Sequence, residues 1–198
     1  MRPHQPDPSP TSDLNRRKAL IFGAAATAFL ARPGVSAAAT AQELTQNSHL
    51  ALDRLFALHP QTRQWARDAK AILVFPEIVK AGFMVGGQGG DGALLVHGKA
   101  VGFFRTGSAS FGLQAGAQKF SYALFFMTDK AVEYAKTNDG WSIGSGPSFV
   151  MVDAGMAKNM NTTTMRKDVY GIVWGQKGLM AGIGLEGSKI SRIHPKAA

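Results

Sequence analysis

The side chains that could do catalytic chemistry in this sequence are few and scattered. His49, His59, His97 and His194 stand in neither H-x-x-x-H nor H-E-x-x-H spacing, which a helical metal site would need. The acidic residues are isolated along the chain, and there is no cysteine to act as a nucleophile or a metal ligand. We therefore expect a protein that is not an enzyme and has no catalytic residues, metal or cofactor.

Two stretches spell the dinucleotide fingerprint G-x-G-x-x-G, at Gly87, Gly89 and Gly92 and again at residues 182–187. A phosphate-binding loop needs a strand before it and a helix after it, because the helix N-terminus holds the pyrophosphate. Residues 93–99, which follow the first stretch, predict a second strand and a turn instead. We expect no nucleotide to bind, and we interpret the glycines as residues that shape a sheet.

The N-terminal residues follow the order of a bacterial export signal. The stretch 15–18, which contains two adjacent arginines, precedes a 13-residue apolar run, Ala19–Ala31, and small residues come next. The run is shorter than the roughly 20 residues of a membrane-spanning helix. An ordinary secretory signal or an uncleaved anchor is the alternative to the twin-arginine route. We expect residues 1–39 to be a cleaved twin-arginine-type signal peptide and residues 40–198 to be a periplasmic domain.

The charge of the remaining chain bears on its partners. Residues 1–39 hold five of the 22 basic and two of the 13 acidic side chains, which leaves residues 40–198 with a formal net charge of +6. A basic surface favours anionic partners, and for an exported protein a phospholipid is nearer than nucleic acid. We expect an acidic phospholipid or membrane surface and no nucleic acid, with a generic solvated basic surface as the alternative.

Two helices are predicted at the start of this domain. In residues 42–58 the apolar side chains follow one stripe at helical spacing, which is typical of an amphipathic helix. A second short helix, at about 61–70, places three cations at i, i+4 and i+7 on one face: Arg63, Arg67 and Lys70. A solvated helix face is the alternative interpretation of this cationic stripe.

From residue 71 onward the pattern changes from helix to strand. Strands are predicted at 71–75 (stopped by Pro76), 82–96 (with a glycine turn inside it), 109–117, 169–174 and 179–186. One helix, at about 129–137, interrupts them. Glycines repeated on one face of a strand are typical of bends and bulges. The sequence therefore predicts an α+β fold, a strongly curved, Gly-rich antiparallel sheet or partial barrel packed with a few α-helices.

Residues 69–188 closely resemble the SYLF domain. The motifs that carry the resemblance are ILVFPEIVKAGF at 72–83, GGQGGDGALLV at 86–96, the S-x-G-x-Q-x-G strand at 110–116, W-x-x-G at 141–144 and KGLMAGIGLEGSKI at 177–190. Together they cover about three quarters of residues 40–198 in the order of the family.

The SYLF resemblance implies a non-catalytic module that binds acidic phospholipids, phosphoinositides in the eukaryotic members. It also implies that an amphipathic N-terminal helix and basic residues contact the membrane. By position, we expect the cations Arg63, Arg67, Lys70 and Lys80 to form one patch and the apolar side chains Leu52, Leu55 and Phe56 to insert shallowly. An envelope structural or protein-interaction domain without lipid affinity is the alternative function.

Overall fold

The computed structural model describes residues 39–83, 85–111, 116–152, 166–178, 185 and 187–197. Its helices are α1 (Ala41–Leu58), α2 (Thr62–Asp68) and α3 (Asp129–Thr137). Its strands are β1 (Ala71–Phe83), β2 (Val85–Val96), β3 (Lys99–Phe111), β4 (Gly116–Phe126), β5 (Trp141–Ser142), β6 (Phe149–Val152), β7 (Val169–Gly178) and β8 (Lys189–Ile193). The proposed signal peptide, residues 1–39, lies outside the described residues except for Ala39, and so does most of the strand expected at 179–186.

All eight strands belong to one sheet, in the order β5–β8–β3–β2–β1–β4–β7–β6. Every neighbouring pair is antiparallel except β6 and β7, which run parallel. The sheet curls into a half-barrel, and this confirms the predicted α+β fold with a strongly curved sheet. Two apolar clusters lie on opposite sides of the sheet. We call the side that α1 and α2 cover the α1 face and the other side the α3 face.

Local signals set the bounds of the helices. Thr40 caps α1 in a capping box, because its side chain accepts from the backbone of Glu43 and the Glu43 carboxylate accepts from the backbone of Thr40. Thr128 caps α3, which ends at Thr137 as predicted. The second helix is shorter than predicted, since Ala69 has an extended backbone (φ −68°, ψ 137°) and α2 ends before it.

Strand β1 does not stop at Pro76, as the sequence had suggested. It continues to Phe83 through a bulge. Phe75 pairs with Tyr122 and Ile78 pairs with Phe120, so β1 has one residue more than β4 between these two pairs. Proline is tolerated at a bulge because its missing N–H removes no ladder hydrogen bond there. The extra residue shifts the alternation of side chains between the two faces of the sheet by one position. Phe75 and Ile78 therefore both lie in the cluster on the α3 face.

The glycines of β2 stand inside a strand and not in a turn. Val85–Val96 pairs with β3 along its whole length, so the glycine turn predicted within 82–96 is wrong. Gly90 shows why glycine is required, since a Cβ there would collide with the backbone oxygen of Glu77 and lie 2.8 Å from Cδ1 of Ile78. The glycine lets the two strands approach at the bulge and curve together, which supports the interpretation that these residues shape the sheet.

The predicted strand at 109–117 is also wrong in its bounds. The chain leaves β3 at Phe111 and enters β4 at Gly116, and the intervening residues lie outside the described part. Apolar residues alternate with small or polar residues in the sequence across this boundary, because both strand ends carry small residues on one face. Alternation alone therefore could not show where one strand ends and the next begins.

Candidate functional site

Helix α2 and the segment that follows it present the predicted cations to solvent. Arg63, Arg67 and Lys70, which we call the helical basic patch, are all exposed. The Arg63 guanidinium lies over the Phe56 ring, 5.2 Å from its centroid, and Arg67 donates to the Gln64 side chain. Lys70 lies beyond the end of α2, where its backbone N–H donates to the Phe126 oxygen at 2.8 Å. The patch thus combines two cations on one helix face with a third on the segment that leads into β1.

Two of the apolar residues expected to insert into a membrane are buried in the domain. Leu52 is 7% exposed and Leu55 is 0% exposed, and both pack with Trp65 against the α1 face of the sheet. The hydrophobic stripe of α1 therefore serves the core, and insertion of these two side chains is a wrong expectation for this fold. Phe56, at the edge of the same cluster and beneath Arg63, is half-buried.

Lys80 does not join the helical basic patch. The bulge at Pro76 turns its side chain to the α3 face, where it is 8% exposed and stands opposite Gln88 and Gln118 in the register. Lys80 also lies ten residues along β1 from Lys70, about 30 Å at the usual rise of a strand. Both the face and the distance contradict the single four-residue patch that the sequence suggested.

The exposed apolar side chains of α1 are different residues from those predicted. Leu50 is 47% exposed and Leu58 is 59% exposed, and neither packs into the core clusters. At 100° per residue Leu50 lies about 120° from Leu44 around the helix, whereas Leu58 lies about 40° from Leu44 and is the last residue of α1. The sequence contains a signal for Leu50, which falls off the stripe that contains Leu44 and Leu55, but none for Leu58, which lies beside that stripe.

Asp168 forms a structural site rather than a chemical one. Its carboxylate accepts from the Ser148 hydroxyl (2.7 Å), the Ser148 backbone (2.9 Å) and the Thr128 hydroxyl (3.0 Å). These hydrogen bonds, those from Ser148 first, lower the pKa of Asp168 below its usual value. The carboxylate thereby joins the N-terminus of α3 to the segments that precede β6 and β7.

Two of the motifs that suggest enzymes lack the geometry that those enzymes need, and the second G-x-G-x-x-G, at residues 182–187, lies mostly outside the described residues. Residues 87–92 lie inside β2, which a His97–Gly98 turn connects to β3 and not to a helix. Residues 140–144 also spell G-x-S-x-G. A nucleophile elbow is a strand–turn–helix, whereas Ser142 ends the two-residue β5 and turns follow it.

Among the residues that the structure describes, no three His, Cys, Asp or Glu side chains come together in a way that could hold a metal ion. Within the same residues, no helix has both the length and the apolar character that a membrane-spanning helix requires.

The fold and its surfaces define a small α+β domain with a basic exterior. Residues 107–195 match the family model described as "Ysc84: Las17-binding protein actin regulator". This is the SYLF family, and the match confirms the resemblance over this segment of the chain. The family consists of non-enzymatic binding domains. A comparison with curated proteins gives no match.

Proposed function

We propose that this chain is a non-catalytic module that binds acidic phospholipid surfaces. The observation that carries the proposal is the helical basic patch, whose three cations are exposed on one short stretch beside α1. SYLF membership is consistent with a lipid-binding or actin-regulator-type module. A cation near an anionic membrane contributes about 1 kcal/mol, and salt screens that attraction.

The contact is mainly electrostatic in this proposal. Leu52 and Leu55 remain in the core, so Phe56 is the one predicted insertion residue that keeps part of its surface accessible. Phenylalanine is among the apolar residues that interfacial helices bury at the boundary of headgroups and acyl chains, and Arg63 above the Phe56 ring adds a cation at the same place. Binding should therefore be weak, salt-sensitive and proportional to the content of anionic lipid.

A triple substitution tests the helical basic patch. Changing Arg63, Arg67 and Lys70 together to Gln should reduce the affinity for phosphatidylglycerol-containing vesicles by about 100-fold at low salt, if the three contributions add. The measurement is co-sedimentation across a range of lipid concentrations. The triple variant should melt like wild type, because all three side chains are exposed.

A second triple variant is the control for net charge. Lys99, Lys130 and Lys136 are exposed and lie outside the helical basic patch, so changing them to Gln removes the same charge from other places. This control should lose only a small part of the affinity. If both triple variants bind equally, the patch has no special role. If wild type does not sediment with anionic vesicles, the protein-interaction alternative is favoured.

We propose further that the domain acts outside the cytoplasm after export by the twin-arginine route. The adjacent Arg16 and Arg17 before an apolar run support this location. Changing both to Lys should retain the precursor in the cytoplasm, as measured by fractionation. Unchanged export of this variant, together with loss of export when the general secretory route is blocked, would contradict the twin-arginine assignment.

A further inference from the structure

Where α1 ends, the α1 face of the sheet emerges from beneath the helix. A cavity of about 550 Å³ lies there, between the last turn of α1 and strands β1, β4 and β7. We call it the basic groove, and its lining includes Arg54, Leu58, Glu77, Lys119, Trp174 and Lys177. Its volume is within the range of small-molecule sites, about 300–1,000 Å³.

Two strand irregularities shape the basic groove on either side of β4. On one side is the bulge of β1, where the Ser121 hydroxyl donates to the backbone oxygen of Pro76 at 2.7 Å. On the other side β7 carries an extra residue next to Gly175, whose φ of +67° favours glycine. Because the ladder register and this hydrogen bond fix both walls, the groove is part of the folded sheet.

The charges in the basic groove do not balance. Lys119 and Lys177 are direct partners in the ladder between β4 and β7, an arrangement in which like charges repel. Glu77 pairs with Lys119 at 2.8 Å, and Arg54 on α1 adds a third cation to the lining. The four ionisable side chains that line the groove thus leave two positive charges. A bound anion would relieve the repulsion between the lysines.

Apolar surface lies beside these cations. Trp174 packs in the buried cluster of the α1 face and lines the groove, and Leu58 stands at its edge. Val79, opposite Lys119 in the register, is 42% exposed on the same face of the sheet. An inorganic anion would use only the cations, whereas an amphiphile would also cover Leu58 and Val79.

We propose that the basic groove holds the anionic headgroup of a single acidic phospholipid, with Leu58 and Val79 against the start of its acyl chains. This inference rests on the proposed function and adds a defined site to it. The helical basic patch would attract a membrane surface, and the basic groove would bind one lipid molecule out of that surface.

Monomeric dihexanoyl-phosphatidylglycerol is the probe for this site. Titration calorimetry on the domain should show saturable binding of one molecule. The double variant Arg54→Gln with Lys177→Gln should weaken it about 30-fold, if each cation contributes roughly fivefold. The double control Lys130→Gln with Lys136→Gln should bind like wild type, because both residues belong to α3, which packs on the opposite face of the sheet.

A pair of substitutions on α1 tests the apolar part of the site. Leu58→Ser should weaken binding of the probe several-fold, while Leu50→Ser, the same change at another exposed leucine about two turns earlier, should leave it unchanged. Both variants should melt like wild type, since neither side chain is in the core.

Four results would overturn the inference. They are equal binding of dihexanoyl-phosphatidylcholine, binding of inorganic phosphate as tight as that of the probe, tighter binding of an acidic peptide such as hexaglutamate, and groove variants that bind the probe like wild type. Failure of the proposed function looks different, because wild type would then not sediment with anionic vesicles. If vesicles bind and the groove variants change nothing, only the groove is wrong.

Discussion

The last turn of α1 separates two basic surfaces that differ in how their cations are held. On one flank, Phe56 supports Arg63 of the helical basic patch, whose charges come from a single stretch of chain. On the other flank, Leu58 borders the basic groove, whose cations Arg54, Lys119 and Lys177 come from three separate elements. The helical basic patch suits a surface of many anions, and the basic groove suits one bound group.

Exposed cations and confined cations lead to different kinds of binding. Cations exposed on a helix are separated by solvent and act on a membrane roughly additively, so salt weakens them together. Cations that the sheet brings opposite each other already repel in the free protein, and apolar surface beside them contributes a part that salt does not screen. The two surfaces can therefore be separated by experiment.

The largest expected effect concerns salt. At low ionic strength the triple variant of Arg63, Arg67 and Lys70 should bind anionic vesicles about 100-fold more weakly than wild type. At 1 M salt, where the Debye length is about 3 Å, we expect this difference to shrink to within about threefold. The weaker binding of dihexanoyl-phosphatidylglycerol by Leu58→Ser should persist at both salt concentrations. Equal salt dependence of the two variants would show that the surfaces do not differ as described.

The next effect concerns the bulge that forms one wall of the basic groove. In Gly90→Ala the new methyl would collide with the backbone of Glu77, and such overpacking costs about 1–3 kcal/mol of the free energy of unfolding. Gly89→Ala is the matched control, because its methyl would lie 3.2 Å from the Thr106 oxygen and needs only a small adjustment. Chemical denaturation measures both.

The folded Gly90→Ala variant should also distinguish the two surfaces. A shifted bulge should weaken the binding of dihexanoyl-phosphatidylglycerol, whereas vesicle binding through the helical basic patch should change little. Comparable stability of Gly89→Ala and Gly90→Ala would contradict the close approach of β1 and β2 at this point.

The smallest effect concerns Asp168, which lies outside both basic surfaces. Asp168→Asn should lower the free energy of unfolding by about 1–2 kcal/mol at neutral pH, because charge-assisted hydrogen bonds from Ser148 and Thr128 become weaker. Glu133→Gln, an exposed change on α3, is the control. Vesicle binding and probe binding should both remain at the level of wild type.

The pH dependence of this effect has a defined sign. Hydrogen bonds from Ser148 lower the pKa of Asp168 in the folded protein below 3.8, the ordinary value of the group. The carboxylate therefore stabilises the fold above that value, and its contribution is lost as the pH falls through the lower folded pKa. The difference in the free energy of unfolding between wild type and Asp168→Asn should stay constant from pH 5 to 7 and become smaller on further acidification. A gap that widens in acid would refute this role.

Much of the fold could be predicted from local patterns. The stripe of Leu44, Leu52 and Leu55 predicted α1, and a capping threonine predicted the start of α3. The dense glycines predicted a curved sheet. They also led to the wrong prediction of a turn within residues 82–96, because glycine permits both a tight turn and the close approach of two strands.

The predicted arrangement of the site residues agrees with the structure where it depended on local geometry and differs from it where it depended on packing. Helical spacing places Arg63 and Arg67 on one face whatever else the chain does. Nothing in the sequence near Leu52 says whether its stripe covers a sheet or a membrane, because both are apolar. The side of the sheet on which Lys80 lies depends on the bulge at Pro76, and the alternation of residues in the sequence does not show that bulge.

The sequence by itself determined the helices, the basic charge and the resemblance to the SYLF family, because these depend on composition and on local patterns along the chain. Only the tertiary structure decided which apolar residues remain exposed, since burial of Leu55 and exposure of Leu58 follow from where α1 lies on the sheet. Only the tertiary structure formed the basic groove, because it depends on the register that pairs Lys119 with Lys177. Register is a long-range property: the two lysines are far apart in the sequence, and the bulges between strands set which residues meet.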